Sequence, residues 1–403
     1  MNMPDFSRLR GKIAHITGDF IINILASVVY TFARQIVVFP LFARRMTEAD
    51  YGTLLTVVGL ATICTTLVGN SLNNIRLIQN SRYEERQAAG DFNLLCLIGA
   101  ACSVLFSLVM WWMFRYSWLT ALLLTAYLLV SELYQYASAF FRLELNFKRI
   151  FAAYAVASAA YMLAALVIPA GELWPAVFLV GEGAALVYVA WVTRFYREPL
   201  ARTPLFGETS RKLVILMLSG LVGNVLLYAD RMIIYPTLGA ESVSYYSVAS
   251  FFGKSAGIVM TPISGVLLGY FAQKSFAASK KLFTLVNALS VGCLGLFAVA
   301  CYLLAPWFTR LLYPTLFAQA APYIMLANWG AILSIAGNMA QPMILKSCST
   351  KWILLVQVLY GAVYLLTASL LMPSHGLTGF CWAAILACGV RLLALYGIGY
   401  WKL

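Results

Sequence analysis

The sequence predicts an all-α polytopic membrane protein with about 12 transmembrane helices in two six-helix lobes around a central cavity. Three observations predict it. Of 403 residues 62% are hydrophobic and 11% charged, with a mean hydropathy of +0.83, whereas a soluble domain carries about 25% charged residues. Apolar runs of about 20 residues, the length that crosses a bilayer as helix, recur twelve times. The basic residues behind the net charge of +13 sit in short clusters between those runs. That is the pattern of juxtamembrane loops, not of a nucleic-acid-binding arm.

The runs fall near 16–42, 51–74, 92–114, 118–141, 150–169 and 174–193, then near 213–235, 244–271, 282–305, 322–345, 352–372 and 377–399. The longest polar interval, 194–212, divides the chain into an N-terminal lobe (1–193) and a C-terminal lobe (213–403) joined by that loop. With a cytoplasmic N-terminus, the inside segments collect most of the lysines and arginines, including Arg76, Arg82, Arg142, Arg197, Lys212, Lys280 and Lys402. The outside segments hold only Arg44, Arg45, Arg115 and Arg310. This asymmetry predicts both termini in the cytoplasm. Trp111, Trp112, Trp118, Trp174 and Trp307 then fall near outer ends and Trp191, Trp352 and Trp401 near inner ones, as interfacial belts. The start, 1–12, is polar and the first apolar run is too long for a signal-peptide core, so no cleavable leader is expected.

Catalysis is not expected. The two histidines, His15 and His375, are far apart, no phosphate-binding glycine loop follows a strand, and no loop is long enough for a soluble catalytic domain. Seven of the eight cysteines lie inside apolar runs and none has metal-ligand spacing, so neither metal nor cofactor is expected.

Two segments 196 positions apart read alike. Ala33-Arg34-Gln35-Ile36-Val37-Val38-Phe39-Pro40 matches Ala229-Asp230-Arg231-Met232-Ile233-Ile234-Tyr235-Pro236. Six spans separate them, so the two halves share one orientation, as in transporters built from parallel repeats.

Polar residues also recur at helical spacing inside the spans. Span 1 carries Asp19, Asn23, Ser27, Tyr30 and Arg34 on one face; span 2 carries Thr62, Thr66, Asn70 and Asn73. Span 7 carries Gly220, Asn224, Tyr228 and Arg231, and span 8 carries Ser247, Ser250, Lys254 and Thr261. Such stripes line a water-filled cavity or glue helices together by hydrogen bonds. A lysine or arginine at mid-bilayer costs at least about 2.5–3.5 kcal/mol, so it marks a pathway or an ion pair unless it snorkels. Arg34 and Lys254 are deepest on their stripes. Arg231 lies beside Asp230 near an interface, where snorkelling, a local ion pair and a binding role all stay open. Arg391, eight residues from an inner end, reads as snorkelling. Among the acids Asp19, Glu132, Glu182 and Asp230, Asp19 leads as an ion-coupling residue because it shares the face of Arg34. Pro262, Pro342 and the small residues of span 8 (Gly253, Gly257, Thr261, Gly265, Gly269) read as kinks and close helix packing.

Ala49-Asp50-Tyr51-Gly52 opens span 2, Ala229-Asp230-Arg231-Met232-Ile233-Ile234 closes span 7, and Thr237-Leu238-Gly239-Ala240, Val243 and Tyr246-Ser247-Val248-Ala249 lead into span 8. On these stretches the chain resembles the polysaccharide flippases of the multidrug/oligosaccharidyl-lipid/polysaccharide exporter superfamily, the O-antigen (Wzx-type) branch in particular. It departs from that pattern at Ser244, where glycine is frequent, and near Gly269, where proline is.

The resemblance implies a bacterial inner-membrane flippase that moves an undecaprenyl-diphosphate-linked oligosaccharide to the outer leaflet by alternating access. The product would feed O-antigen, lipopolysaccharide or another surface polysaccharide, with a polymerase and glycosyltransferases as partners. Arg34, Lys254 and Arg231 would pair with the diphosphate, and Asn23, Asn70, Asn73 and Asn224 would hydrogen-bond sugar. The alternatives are a cation-coupled drug or metabolite antiporter of the same superfamily and a non-transporting membrane scaffold. A peptidoglycan-precursor flippase generally has two further spans.

Overall fold

The computed structural model describes residues 21–22, 24–257, 260, 279–347 and 350–402. Among them every regular element is helical. The helices are α1 (Ile24–Arg45), α2 (Glu48–Glu85), α3 (Asp91–Phe114), α4 (Trp118–Leu143), α5 (Phe147–Val167), α6 (Trp174–Thr193) and α7 (Phe206–Leu227). They continue as α8 (Ala229–Ala249), α9 (Lys280–Leu312), α10 (Ile324–Ser347) and α11 (Thr350–Lys402). Ten of the helical segments are long and apolar enough to cross a membrane.

The helix ends follow local chemistry. Ser117 accepts from the Thr120 N–H, Asn146 from Arg149 and Ser279 from Leu282, each satisfying one of the donors a helix start leaves open. Thr47 Oγ1 donates to Asp50 Oδ2 at 2.6 Å and accepts from the Asp50 N–H at 3.2 Å, which caps α2. At 53 residues α11 would run about 80 Å as straight helix, far beyond a hydrocarbon core of about 30 Å. Gly376 breaks it with φ 53° and ψ −131°, and its two arms match the spans expected at 352–372 and 377–399. Gly239, at φ 85°, divides α8 in the same way. The span expected at 244–271 begins in that second arm and lies largely outside the described residues beyond 257.

Two segments turn as π-helix, Ala33–Val38 in α1 and Thr66–Asn70 in α2. The first coincides with one copy of the repeated motif. The other copy starts where α7 ends, at Tyr228 with φ −110° and ψ 13°. Both copies therefore sit at departures from regular α-helix.

The chain packs as two compact units. Unit 1 runs to Phe42 and resumes at Val57–Tyr228; unit 2 comprises Ala43–Thr56 and the chain from Ala229 onward. The core of unit 1 centres on Phe178, whose ring meets Phe39, Phe42, Tyr127, Tyr161 and Trp174 at centroid distances of 5.7–6.1 Å. Trp174, expected in an interfacial belt, is buried there, whereas Trp112, Trp118 and Trp191 are exposed. A second cluster joins Leu72, Ile75, Phe92 and Tyr136 to Leu205 and Leu213. The polar loop 194–212 is tied down beside it. Arg76 holds Glu198 through two bonds of 2.8 and 2.5 Å, and Asp91 accepts from the Thr203 N–H at 2.7 Å and from Tyr83 at 2.7 Å. The lobes read along the chain part at 194–212, but by packing α7 lies with unit 1: its first turns bury Leu213 in that cluster and set Thr209 against the Tyr83 hydroxyl.

Unit 2 has two apolar clusters. One gathers Phe283, Met343, Ile344, Ile353, Val356 and Leu395, and the other Ala256, Leu294, Cys301, Ile332 and Ala336. The α2 segment 48–56 joins this unit by a close backbone approach. A Cβ at Gly52 would lie 1.8 Å from the Ala240 carbonyl oxygen. Ser244 Oγ donates to the Glu48 carbonyl at 2.6 Å, and Tyr245 donates to the Glu48 carboxylate. The motif residues 49–52 and 239–246 are thus a packing joint within unit 2. Ser244 fills the position where the resembled family often has glycine with a hydroxyl that has a partner.

Candidate functional site

In unit 1 the π-turn of α1 presents Arg34 to an aromatic cage. Its guanidinium carbon lies 5.6 Å from the Tyr30 ring centroid, 5.7 Å from Tyr161 and 5.4 Å from Phe178. NH1 donates to the Tyr30 hydroxyl at 3.3 Å. The same two tyrosines serve a carboxylate on α6. Tyr161 donates to Glu182 Oε1 at 2.7 Å, and Tyr30 donates to the same oxygen. Glu182 is 2% exposed. Gly181 makes this possible, because a Cβ there would stand 2.5 Å from the Tyr161 ring. The cation and the anion are held apart by two phenols, each giving its face to Arg34 and its O–H to Glu182. Cation–π contact of this kind gains strength where water is excluded.

In unit 2 the second copy of the motif builds an ion cluster. Lys254 Nζ is 2.5 Å from Asp230 Oδ2 and 5.0 Å from the Tyr246 ring centroid. The Arg231 N–H donates to Asp230 Oδ1 at 2.9 Å, and Arg231 NH1 donates to the Leu55 carbonyl at 2.6 Å. The Lys254 side chain is 42% exposed and that of Asp230 8%. The Arg231 guanidinium is thus held by a backbone carbonyl beside the Asp230–Lys254 pair.

Of the four asparagines expected to line a cavity, Asn73 is instead 2% exposed and fully engaged. Its Nδ2 donates to the Gln135 carbonyl at 2.7 Å and to Ser138 Oγ at 2.9 Å, while its Oδ1 accepts from Arg142 at 3.2 Å. It is interhelical glue, because α4 leaves a carbonyl and a hydroxyl in reach of α2. Asn224 donates to the Gly220 carbonyl of its own helix at 3.0 Å, and Asn70 closes the π-turn of α2. Asp19 and Asn23 lie outside the described residues.

Arg391 is a correction of a different kind. It is 6% exposed and does not snorkel. NH2 donates to Asn338 Oδ1 at 2.8 Å and Gln341 Oε1 at 3.0 Å, NH1 donates to the Ser334 carbonyl at 3.4 Å, and the Tyr360 ring lies 5.6 Å away. Its polar neighbours come from α10, a helix the stripes did not single out. Glu132 is likewise buried, at 1% exposure. Its Oε2 accepts from Ser103 at 2.8 Å, and its Oε1 has no hydrogen-bond partner.

No protein-family model and no curated protein matches the sequence. Solved structures do match over nearly the whole chain. The lipid II flippase MurJ in an inward closed conformation aligns with a TM-score of 0.66 at 13% identity, covering 96% of this chain and 86% of MurJ. The chain shares its fold with MurJ and with the MATE transporters. An inward-facing multidrug resistance MATE transporter of the MOP superfamily aligns at 0.62 and 12% identity, covering 95% of this chain and 97% of its own. The Vibrio cholerae MATE transporter VcmN in its bent form aligns at 0.60 and 14%, covering 96% of this chain and 98% of VcmN.

Proposed function

We propose that the protein is a flippase of the bacterial inner membrane, with both termini in the cytoplasm. It would move undecaprenyl-diphosphate-linked oligosaccharide repeat units from the inner to the outer leaflet by alternating access, for O-antigen or another surface polysaccharide. The observation that carries this reading is the asymmetry of the unit 2 ion pair, with its cation open and its acid covered. A site for a cationic drug needs the reverse. A diphosphate cannot cross hydrocarbon without a replacement for its hydration, and charge-assisted contacts to phosphate are strong ones. Lys254, with Arg231 nearby in unit 2, supplies the cation for such contacts, and Arg34 is a further cation within unit 1. The likeness to a lipid II flippase supports a lipid-linked substrate, while the likeness to MATE transporters supports the drug antiporter equally. The antiporter reading has one observation in its favour, the buried carboxylates Glu132 and Glu182, which suit cation coupling.

Complementation of a strain lacking its repeat-unit flippase tests the choice. Lys254→Ala is expected to abolish surface polysaccharide with normal membrane insertion, Lys254→Arg to retain part of it, and Lys254→Glu to be worse than alanine. Normal polysaccharide in Lys254→Ala, or drug efflux in place of complementation, sinks the flippase reading.

A further inference from the structure

The basic side chains within the spans differ in what faces them. Arg34 shares its tyrosines with Glu182, and Lys254 pairs with Asp230, which also accepts the Arg231 backbone N–H. Among the described residues Arg391 has no such acid. Its neighbours are a backbone carbonyl, two side-chain amides, the Tyr360 ring and Cys388. Its Nε has no hydrogen-bond partner. A guanidinium stays charged throughout the physiological range, and amide dipoles give it no counter-charge. Burying a cation in this state is costly unless something else completes it.

The face of α10 that meets Arg391 is polar. Ser334, Asn338 and Gln341 recur at helical spacing on one face of α10, and all three are only half-buried. Gly337 lies on the same face, where a Cβ would press to 3.3 Å from Arg391 NH1. The buried guanidinium thus lies against a partly accessible polar face of α10. The side-chain amide of Gln341 can turn an N–H toward an incoming oxyanion.

We propose that Arg391, with Asn338 and Gln341, is an anion-binding site of unit 2 that takes a phosphate group; on the function proposed above, that phosphate belongs to the diphosphate of the lipid-linked substrate. The fork of a guanidinium matches two phosphate oxygens at once. The amide oxygens that now satisfy NH2 hold the side chain ready and are displaced when the anion arrives.

The test uses the full chain in nanodiscs of neutral lipid, as wild type, Arg391→Gln and Arg391→Lys. Undecaprenyl diphosphate, undecaprenol, inorganic diphosphate and added phosphatidylglycerol serve as probes, with binding and thermal unfolding as readouts. The expected result is that undecaprenyl diphosphate binds wild type better than undecaprenol does. Arg391→Gln should weaken that binding about tenfold or more, and Arg391→Lys should fall between. Without anion, Arg391→Gln should unfold no earlier than wild type, since it removes an unpaired charge. With diphosphate, wild type and Arg391→Lys should gain more stability than Arg391→Gln. A strut that merely joins α10 to α11 predicts the opposite, a less stable Arg391→Gln whose gain from diphosphate equals that of wild type, and that result overturns the site. Equal binding of undecaprenyl diphosphate to wild type and Arg391→Gln also overturns it while leaving the flippase reading intact. Binding of inorganic diphosphate or phosphatidylglycerol through Arg391, with none of undecaprenyl diphosphate, keeps the anion site and removes the flippase reading.

Discussion

Asp230 is covered by the lysine it neutralises: the two charged atoms are 2.5 Å apart, yet 42% of the Lys254 side chain is exposed against 8% of Asp230. Removing the acid leaves Lys254 in place but unheld. Asp230→Asn should therefore destabilise the protein by about 1–2 kcal/mol, less than a fully buried pair because Lys254 is half open. Asp230→Asn/Lys254→Met should recover part of that loss in thermal unfolding of the detergent-solubilised protein. Simple addition of the two single effects would show that the pair is not coupled.

Arg34 and Lys254 should respond differently to exchange of one basic residue for the other. Arg34 is held by three ring faces as well as by a hydroxyl, and an ammonium cannot stack its plane on them. Arg34→Lys should lose most transport at normal abundance, whereas Lys254→Arg keeps part of it. Full activity in Arg34→Lys would mean that the cage is incidental.

Gly99 is needed by Glu132. A Cβ at position 99 would stand 2.4 Å from Glu132 Oε1, so Gly99→Ala should cost about 1–3 kcal/mol, as overpacked cores do. Gly99→Ala/Glu132→Ala should be more stable than Gly99→Ala alone, measured by thermal unfolding. If the double variant is the less stable, the clash lies elsewhere.

Topology can be checked on single-cysteine variants of an otherwise cysteine-free chain. Cysteine in the loop 194–212 should react in intact cells only with membrane-permeant reagents, and cysteine at 172 or 241 with impermeant ones. Labelling of the loop by an impermeant reagent would reverse the orientation.

The helices are largely legible in the sequence, because a bilayer demands long apolar runs and turn chemistry separates them. The division at Gly376 is legible because Pro373-Ser374-His375-Gly376 separates the apolar runs 352–372 and 377–399. Arg34 and Lys254 are legible as deep charges, and the motif repeat sets Arg34 in register with Asp230, beside Arg231. Their partners are harder to read. Glu182 meets Arg34 through Tyr30 and Tyr161, and no helical spacing records a contact made between distant helices. Asn73 fits a polar stripe, yet its stripe faces Gln135 and Ser138 rather than water. The apolar face around Arg391 on its own helix points to snorkelling, but its polar neighbours stand on α10.

The two units exchange segments of chain, and this bears on how the protein is made. Residues 43–56 emerge early from the ribosome but belong to unit 2, while α7 emerges late and completes unit 1. An N-terminal fragment ending in the 194–212 loop would carry an orphaned piece of unit 2 and lack a helix of unit 1. Neither half can reach its final packing during synthesis until the other has begun to insert. A chain severed in that loop should accumulate only when both pieces are co-expressed.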